Sequence, residues 1–257
     1  MTVMTQSSEA PSYLIVTGGS RGIGAATVEL AAKRGYNVAF TYKSNRKAAD
    51  SVVAAVESAG RRALAEPFDM AHDDPAALYE RFDAAGLGRL AGLVNNAGIT
   101  GPIARLAEVE RAVIEEVMQT NVTGLMLCMQ QAVRRMSTAQ GGAGGCIVNV
   151  SSRAGQLGGG GEWIHYAASK GAVDAVTIGG ARELGGEGIR VNAVSPGLID
   201  TEIHAAAGAP ERLERLVAGV PMGRAGTAEE VAEAILWLLS PASAYVSGAV
   251  VPISGAR

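Results

Sequence analysis

The 257 residues are almost half apolar, moderately charged and slightly acidic, with a formal net charge of -3. That balance offers no basic face for a nucleic-acid partner, and the first dozen residues lack the basic region and apolar run of a signal peptide. Only 4% of the chain is aromatic, so Ala, Val, Leu and Ile must build the core, and the 34 glycines fall between periodic segments rather than in a collagen-like repeat.

Residues 1–11 read as a disordered tail. Tyr13 to Val16 is a short apolar strand running into Thr17-Gly18-Gly19-Ser20-Arg21-Gly22-Ile23-Gly24. Ala25 to Arg34 is helical in composition, and Gly35 is placed to stop it. Strand, glycine-rich turn and helix make the geometry in which main-chain N–H groups at a helix start hold a phosphate. The spacing is G-x-x-x-G-x-G, not the G-x-G-x-x-G of the usual dinucleotide fingerprint.

Asn37 to Tyr42 reads as the second strand and Lys47 to Ser58 as the second helix. In dinucleotide folds, an acid about 20 positions past the glycines holds the ribose 2′-hydroxyl. Here that neighbourhood has no carboxylate before Asp50, and Lys43 and Arg46, with Arg21 in the glycine turn, offer cations instead. Either these are solvated turn residues or they meet a 2′-phosphate; the balance favours NADP(H) over NAD(H).

Ala63 to Phe68 is the third strand, and Asp69 after it suits a ligand contact or a turn cap. Asp73-Asp74-Pro75 opens a helix through Ala85. Leu90 to Val94, the fourth strand, breaks at Asn95-Asn96-Ala97-Gly98, which fits a backbone packed close to a ligand or a plain turn. Glu108 to Met136 carries one long helical pattern, continuous or broken, with Asn121 in its apolar middle. A buried amide there needs hydrogen-bond partners. The uncharged stretch Val117 to Val133 falls short of the ~20 apolar residues that span a bilayer. Cys128 and Cys146 sit in apolar segments at no metal-ligand spacing, so both read as buried thiols of a cytoplasmic protein, with no metal site.

Cys146 to Val150 is the fifth strand and delivers Ser151 and Ser152; the glycine-rich Gly155 to Gly161 then leads to a helix bearing Tyr166 and Lys170. On a helix these two lie at i and i+4, on one face. A phenol titrates near pH ~10, and a neighbouring ammonium favours the phenolate. The pair therefore reads as an acid/base group brought toward neutral pH. Arg190 to Ser195 is a sixth strand ending at Pro196-Gly197, Thr227 to Leu239 is a helix with Thr227 and Glu230 at capping-box spacing, and Gly248 to Ile253 is a last strand. This alternation predicts one α/β domain over 1–257: three layers, with a doubly wound parallel sheet of about seven strands and helices on both faces.

Taken together, Thr17-Gly18…Gly22-Ile23-Gly24, Asn95-Asn96-Ala97-Gly98, Asn121, Ser152, Tyr166…Lys170 and Pro196-Gly197 resemble the short-chain dehydrogenase/reductase family, from Ser12 onward. Within it the likeness is to NADP-preferring bacterial 3-oxoacyl-carrier-protein reductases and sugar dehydrogenases. The resemblance implies a Rossmann fold and carbonyl–alcohol interconversion by hydride transfer. Tyr166 would be the acid/base, Lys170 would lower its pKa and bond the nicotinamide ribose, Ser152 would bond the reacting oxygen, and Asn121 would hold a water of the proton relay. Gly18, Gly22, Ile23 and Gly24 would line the pyrophosphate, Asp69 and Asn96 the adenine half, and Val194, Pro196, Gly197 and Thr201 the nicotinamide. Ser20, Arg21, Lys43, Ser44, Met70, Ala97, Gly98, Ile199, Tyr166 and Lys170 complete the implied cofactor contacts. A homotetramer, built as a dimer of dimers through the Asn121 and Tyr166 helices, is implied as well.

The chain departs from the family pattern in places. Ser152 and Tyr166 are one residue further apart than usual, with Ser151 the more distant fit, and Val251-Pro252-Ile253-Ser254-Gly255 replaces the usual aspartate and paired glycines. His165 points about 100° from Tyr166 on a helix and reads as pocket lining or core. Trp163 could face the pocket or pack at the surface. Substrate choice falls to Ala154–His165 and to Leu198–Val220, read as a mobile lid. A catalytically silent NADP(H)-binding regulator of the same fold is the alternative function; an epimerase or dehydratase of the extended relatives would need more C-terminal sequence.

Overall fold

The computed structural model describes residues 11–202 and 211–257. The anticipated N-terminal tail lies outside the described residues up to residue 10, and Pro11 itself is held, its carbonyl accepting from the Arg89 N–H at 2.9 Å. Strands β1 (Ser12–Val16), β2 (Asn37–Tyr42), β3 (Ala63–Pro67), β4 (Arg89–Asn95), β5 (Gly145–Val150), β6 (Ile189–Pro196) and β7 (Val250–Ile253) pair in parallel in the order β3-β2-β1-β4-β5-β6-β7. The order reverses between β1 and β4. In such sheets ligands bind at that switch point, beyond the carboxyl ends of the strands.

Every residue of β2 is buried, as are the last five of β5 and nearly all of β6. Continuous apolar strands of this kind need cover on both faces. One core packs helices α1 (Gly22–Lys33), α2 (Arg46–Ser58) and α9 (Ala228–Leu239) against the sheet through Val28, Val52 and Ile235. The opposite core takes α3 (Pro75–Ala84), α5 (Gly124–Met136) and α7 (Ile164–Leu184), with Leu78, Phe82, Leu125 and Val173 fully or almost fully buried. Each such side chain contributes about 1.5–3 kcal/mol, so the sheet's two faces hold the fold and leave its strand ends for the site.

Local sequence sets the helix starts. The Asp74 carboxylate accepts from the Ala76 N–H at 2.9 Å with Pro75 in the first turn, and Thr227 and Glu230 make both bonds of a capping box. Loss of such a cap costs about 1 kcal/mol. The first helix begins at Gly22 rather than Ala25, so the glycines are themselves its first turn. The long pattern from Glu108 resolves into α4 (Arg111–Met118), a π-type turn over Gln119–Thr123 and α5. The glycine-rich segment before Tyr166 contains a short helix, α6 (Ala154–Leu157), which its composition hides. Another, α8 (Arg212–Val217), lies in the stretch read as a lid; residues 203–210 of that stretch lie outside the described residues.

Candidate active site

The strand ends border a cleft of about 470 Å³, within the range of ligand pockets. At one end is the glycine turn. The Gly18 N–H donates to the Thr41 hydroxyl at 3.0 Å, and the Asn96 amide donates to the carbonyls of Thr17 and Gly18, each at 2.9 Å. These bonds brace the turn against β2 and β4. A Cβ at Gly24 would fall 2.1 Å from the Gly18 carbonyl oxygen, so no side chain fits there. The turn therefore lets a bulky anion approach the start of α1, where main-chain N–H groups lack helical partners. This cradle, at one end of a cleft that also reaches Tyr166 and Lys170, fits a dinucleotide.

Of the sequence-predicted cofactor contacts, Gly18, Ser20, Arg21, Gly22, Ile23, Lys43, Asp69, Met70, Asn96, Ala97, Gly98, Tyr166, Lys170, Pro196, Gly197, Ile199 and Thr201 line the cleft. Gly24 lies behind the wall, against Gly18 and Asn96, and Ser44 is exposed at the foot of α2 without lining the cleft. The Lys43 amine is 2.8 Å from the Asp69 carboxylate and 3.7 Å from that of Glu116. The hydrogen bond to Asp69 raises the Lys43 pKa; burial pushes Asp69 up, but the bond from Lys43 leads the contributions that hold its pKa below the ordinary range. Arg21 faces Glu202 at 3.6 Å across the mouth of the cleft.

At the other end Ser152, Tyr166 and Lys170 converge. Both serines at the end of β5 are candidates by position, and the geometry separates them. The Ser151 hydroxyl turns into the core and donates to the Lys170 carbonyl at 3.3 Å, whereas the Ser152 hydroxyl is left to the cleft that it lines with Tyr166. Ser152 also accepts from the Ala154 N–H at 3.1 Å, which orients it through the first turn of α6. The longer loop before Tyr166 is taken up by α6 and the glycines after it.

Burial raises the Tyr166 pKa, and the hydrogen bond from Ser152 and the charge of Arg212 oppose that rise. The Lys170 amine is 5.6 Å from the phenol ring centroid and donates to the Val150 carbonyl at 2.8 Å. Burial lowers its own pKa to about 8, against the opposing charge of Asp174, one turn further along α7.

Asn121 lies behind the cleft wall. The π-type turn aims its amide at the loop after β4: Nδ2 donates to the Ile99 carbonyl at 2.8 Å and to the Ser169 hydroxyl at 3.0 Å, and Oδ1 accepts from the Ile99 N–H at 2.8 Å. With both donors committed, the side chain braces that loop against α7. His165 is core: it is buried, pairs with the Thr100 carbonyl at 2.9 Å and does not line the cleft. Val194 is likewise buried in β6.

Sequence reading missed Arg212. It lines the cleft from α8, its guanidinium 4.4 Å above the Trp163 ring, and Trp163 lies edge-on to Tyr166 with centroids 6.3 Å apart. The neighbouring lid residues gave no signal for it, because its position depends on how α8 folds over the loop before α7.

A family profile described as enoyl-(acyl carrier protein) reductase matches residues 18–255. An oxidoreductase of Escherichia coli is 46% identical over 95% of this chain and 98% of its own. The cis-4-hydroxycyclohexanecarboxylate dehydrogenase of Sinomonas cyclohexanicum is 41% identical over 96% of both chains. A short-chain dehydrogenase from Burkholderia cenocepacia, solved in complex with NADP, superposes with a TM-score of 0.84 at 34% identity, covering 95% of this chain and 96% of that one. The chain belongs to the short-chain dehydrogenase/reductase family of oxidoreductases, the one its motifs resemble.

Proposed function

We propose that this protein is an NADP(H)-dependent oxidoreductase that interconverts a carbonyl and a secondary alcohol. The observation that carries this reading is the meeting of Ser152, Tyr166 and Lys170 at one end of a cleft whose other end is the glycine turn. The bound cofactor supplies or accepts the hydride.

The chain's own groups do the rest. Tyr166 gives its proton to the oxygen of the carbonyl or takes it back from the alcohol, and Ser152 holds that oxygen by a hydrogen bond as charge develops on it. Lys170 binds the ribose and sets the charge beside the phenol, and Asn121 keeps the Ile99 loop in place behind them. Gly18, Ser20, Gly22 and Ile23 form the pyrophosphate cradle, with Gly24 packed behind it against Gly18 and Asn96. Arg21 and Lys43 favour a 2′-phosphate over a bare hydroxyl, with Asp69 fixing the Lys43 amine. Two relatives support this reading: the NADP complex of the Burkholderia cenocepacia protein, and the Sinomonas cyclohexanicum enzyme, named for a hydroxy acid.

We also infer one domain, assembled as a homotetramer. Ile114, Met126, Leu127 and Ile178 leave apolar surface on α4, α5 and α7 for a second copy. Cys128 and Cys146 are free and buried, which suits a reducing cytoplasm.

Purified protein should consume NADPH with at least one class among acetoacetyl thioesters, diketones, quinones and sugars. Tight NADPH binding without turnover on any class would instead favour a silent cofactor-binding regulator.

A further inference from the structure

Helix α7 carries two pairs of side chains at i and i+4, on adjoining stripes of its surface. Tyr166 and Lys170 line the cleft. His165 and Ser169 are buried beside them and do not. Both members of this second pair are tied to the chain that follows β4. His165 Nε2 meets the Thr100 carbonyl at 2.9 Å, and Ser169 is joined to Ile99 through the amide of Asn121. Gly98, Ile99 and Thr100 are themselves cleft wall. One stripe of the helix thus presents the reactive groups, and the next grips the wall beside them.

The direction of the Ser169 bonds follows from its single hydroxyl hydrogen. That hydrogen goes to the Tyr166 carbonyl at 2.7 Å. Toward Asn121 the oxygen can then only accept, and it does so from Nδ2 at 3.0 Å. Asn121 meets Ile99 at two points, Nδ2 donating to the carbonyl and Oδ1 accepting from the N–H, each at 2.8 Å. This pairing uses one of the two Nδ2 hydrogens. The other points into buried protein, where a donor without a partner is costly, and Ser169 supplies its acceptor. The bonds run one way, from the Ile99 N–H through Asn121 and Ser169 to the Tyr166 carbonyl, and bonds so aligned strengthen one another.

The wall held in this way stands close to the lysine. A Cβ on Gly98 would lie 3.1 Å from Asn121 Oδ1 and 3.5 Å from the Lys170 amine, so a small shift of the amide moves main chain against the reactive face of α7. About two turns further along the helix, Thr177 makes the same two bonds. It is wholly buried, donates to the Val173 carbonyl at 2.8 Å and accepts from Asn149 Nδ2 at 2.9 Å. Asn149, however, accepts in turn from Asn95 inside the sheet, and none of these three lines the cleft.

We propose that Ser169 is a positioning residue whose hydroxyl, acting through Asn121, fixes the cleft wall at residues 98–100 against the Tyr166 and Lys170 face of α7. The inference rests on the reductase reading above and adds to it a residue that lies outside the cleft. A serine that only packs the helix makes a different forecast, because Thr177 would then matter as much.

The test is steady-state NADPH oxidation with a carbonyl compound that wild-type protein reduces. Ser169→Thr and Ser169→Val introduce side chains of the same shape that differ in the hydroxyl. Ser169→Val should lower kcat about tenfold or more relative to Ser169→Thr. KM and NADPH affinity should stay within about threefold, since the groups that line the cleft are all retained. Ser169→Ala, smaller than the residue it replaces, should show the same loss against wild type. Thr177→Val should keep kcat within about twofold of wild type, whatever it does to thermal stability. Combined with Asn121→Ala, Ser169→Thr and Ser169→Val should give equal kcat, because the hydroxyl has lost the amide it acts through. Wild-type kcat in Ser169→Ala, equal kcat in Ser169→Thr and Ser169→Val with Asn121 in place, a loss in Thr177→Val as large as that in Ser169→Val, or a difference that survives Asn121→Ala would overturn the inference and leave the reductase reading intact. Failure of wild-type protein to oxidise NADPH with any carbonyl compound would remove that reading and this inference with it.

Discussion

The amine of Lys170 donates to the main-chain carbonyl of Val150 at 2.8 Å, joining the middle of the reactive face of α7 to the last residue of β5. With Ser151 bonding back to the Lys170 carbonyl, strand and helix are latched at the point where Ser152 leaves the sheet. The lysine therefore has a structural partner before any ligand arrives, and its buried charge carries a consequence for stability.

That consequence has a sign. Burial brings Lys170 from 10.5 to about 8, so the folded state releases its proton first. Below pH 8 both states hold the proton, and the full cost of burying the charge is present. Between pH 8 and 10.5 the unfolded chain binds more protons, and stability rises with pH. Relative to Lys170→Met, the wild-type protein should gain roughly 3 kcal/mol of unfolding free energy across that window. Urea denaturation of both proteins at pH 7, 9 and 11 measures it; parallel curves would mean that the amine is solvated.

Asp174 works against this cost. Asp174→Asn should lower the Lys170 pKa further and move the alkaline limb of the kcat/KM profile for carbonyl reduction to lower pH. Asp174→Glu should restore it. A superimposable pH profile in Asp174→Asn would confine the carboxylate to packing.

Tyr166→Phe keeps the ring and removes the proton. General acid–base groups supply about 10²–10⁴-fold in rate, so turnover should fall by about that factor while fluorescence titration finds NADPH affinity nearly unchanged. Comparable turnover in this variant would reassign the acid/base role.

Gly98 sits between two groups of the site. A Cβ there would lie 3.1 Å from Asn121 Oδ1 and 3.5 Å from the Lys170 amine. Gly98→Ala should cost about 1–3 kcal/mol of stability, as overpacking does, and should lower kcat about tenfold or more by displacing the Asn121 amide from Ile99. Thermal melts and steady-state kinetics on the same sample separate the two effects; full activity would show that the loop yields without harm.

Lys43→Ala and Arg21→Ala should each weaken NADPH binding about tenfold, or roughly 1.4 kcal/mol, and leave NADH binding within about twofold. The partner carboxylates Asp69 and Glu202 then lose their cations, so the effect grows at low salt. Equal losses for both nucleotides, or tighter NADH binding by the wild-type protein, would sink the assignment of these cations to the 2′-phosphate.

What could be read without coordinates was local. Runs of apolar residues mark β2 and β5, the Thr227–Glu230 pair marks the start of α9, and glycines mark the turn after β1, because periodicity and capping act within a few residues. The i, i+4 spacing put Tyr166 and Lys170 on one face for the same reason. Choices between distant groups were made by sheet packing instead. Only the pairing of β5 with β4 and β6, and the seating of α7 across it, turned the Ser151 hydroxyl onto the Lys170 carbonyl and left Ser152 to the cleft it lines with Tyr166. That seating gave Lys170 the Val150 carbonyl, turned His165 onto Thr100 and committed Asn121 to Ile99 and Ser169. Arg212 reached Trp163 by a fold of the chain with no periodic trace, since a contact across such a separation depends on where whole elements dock and not on the residues beside it.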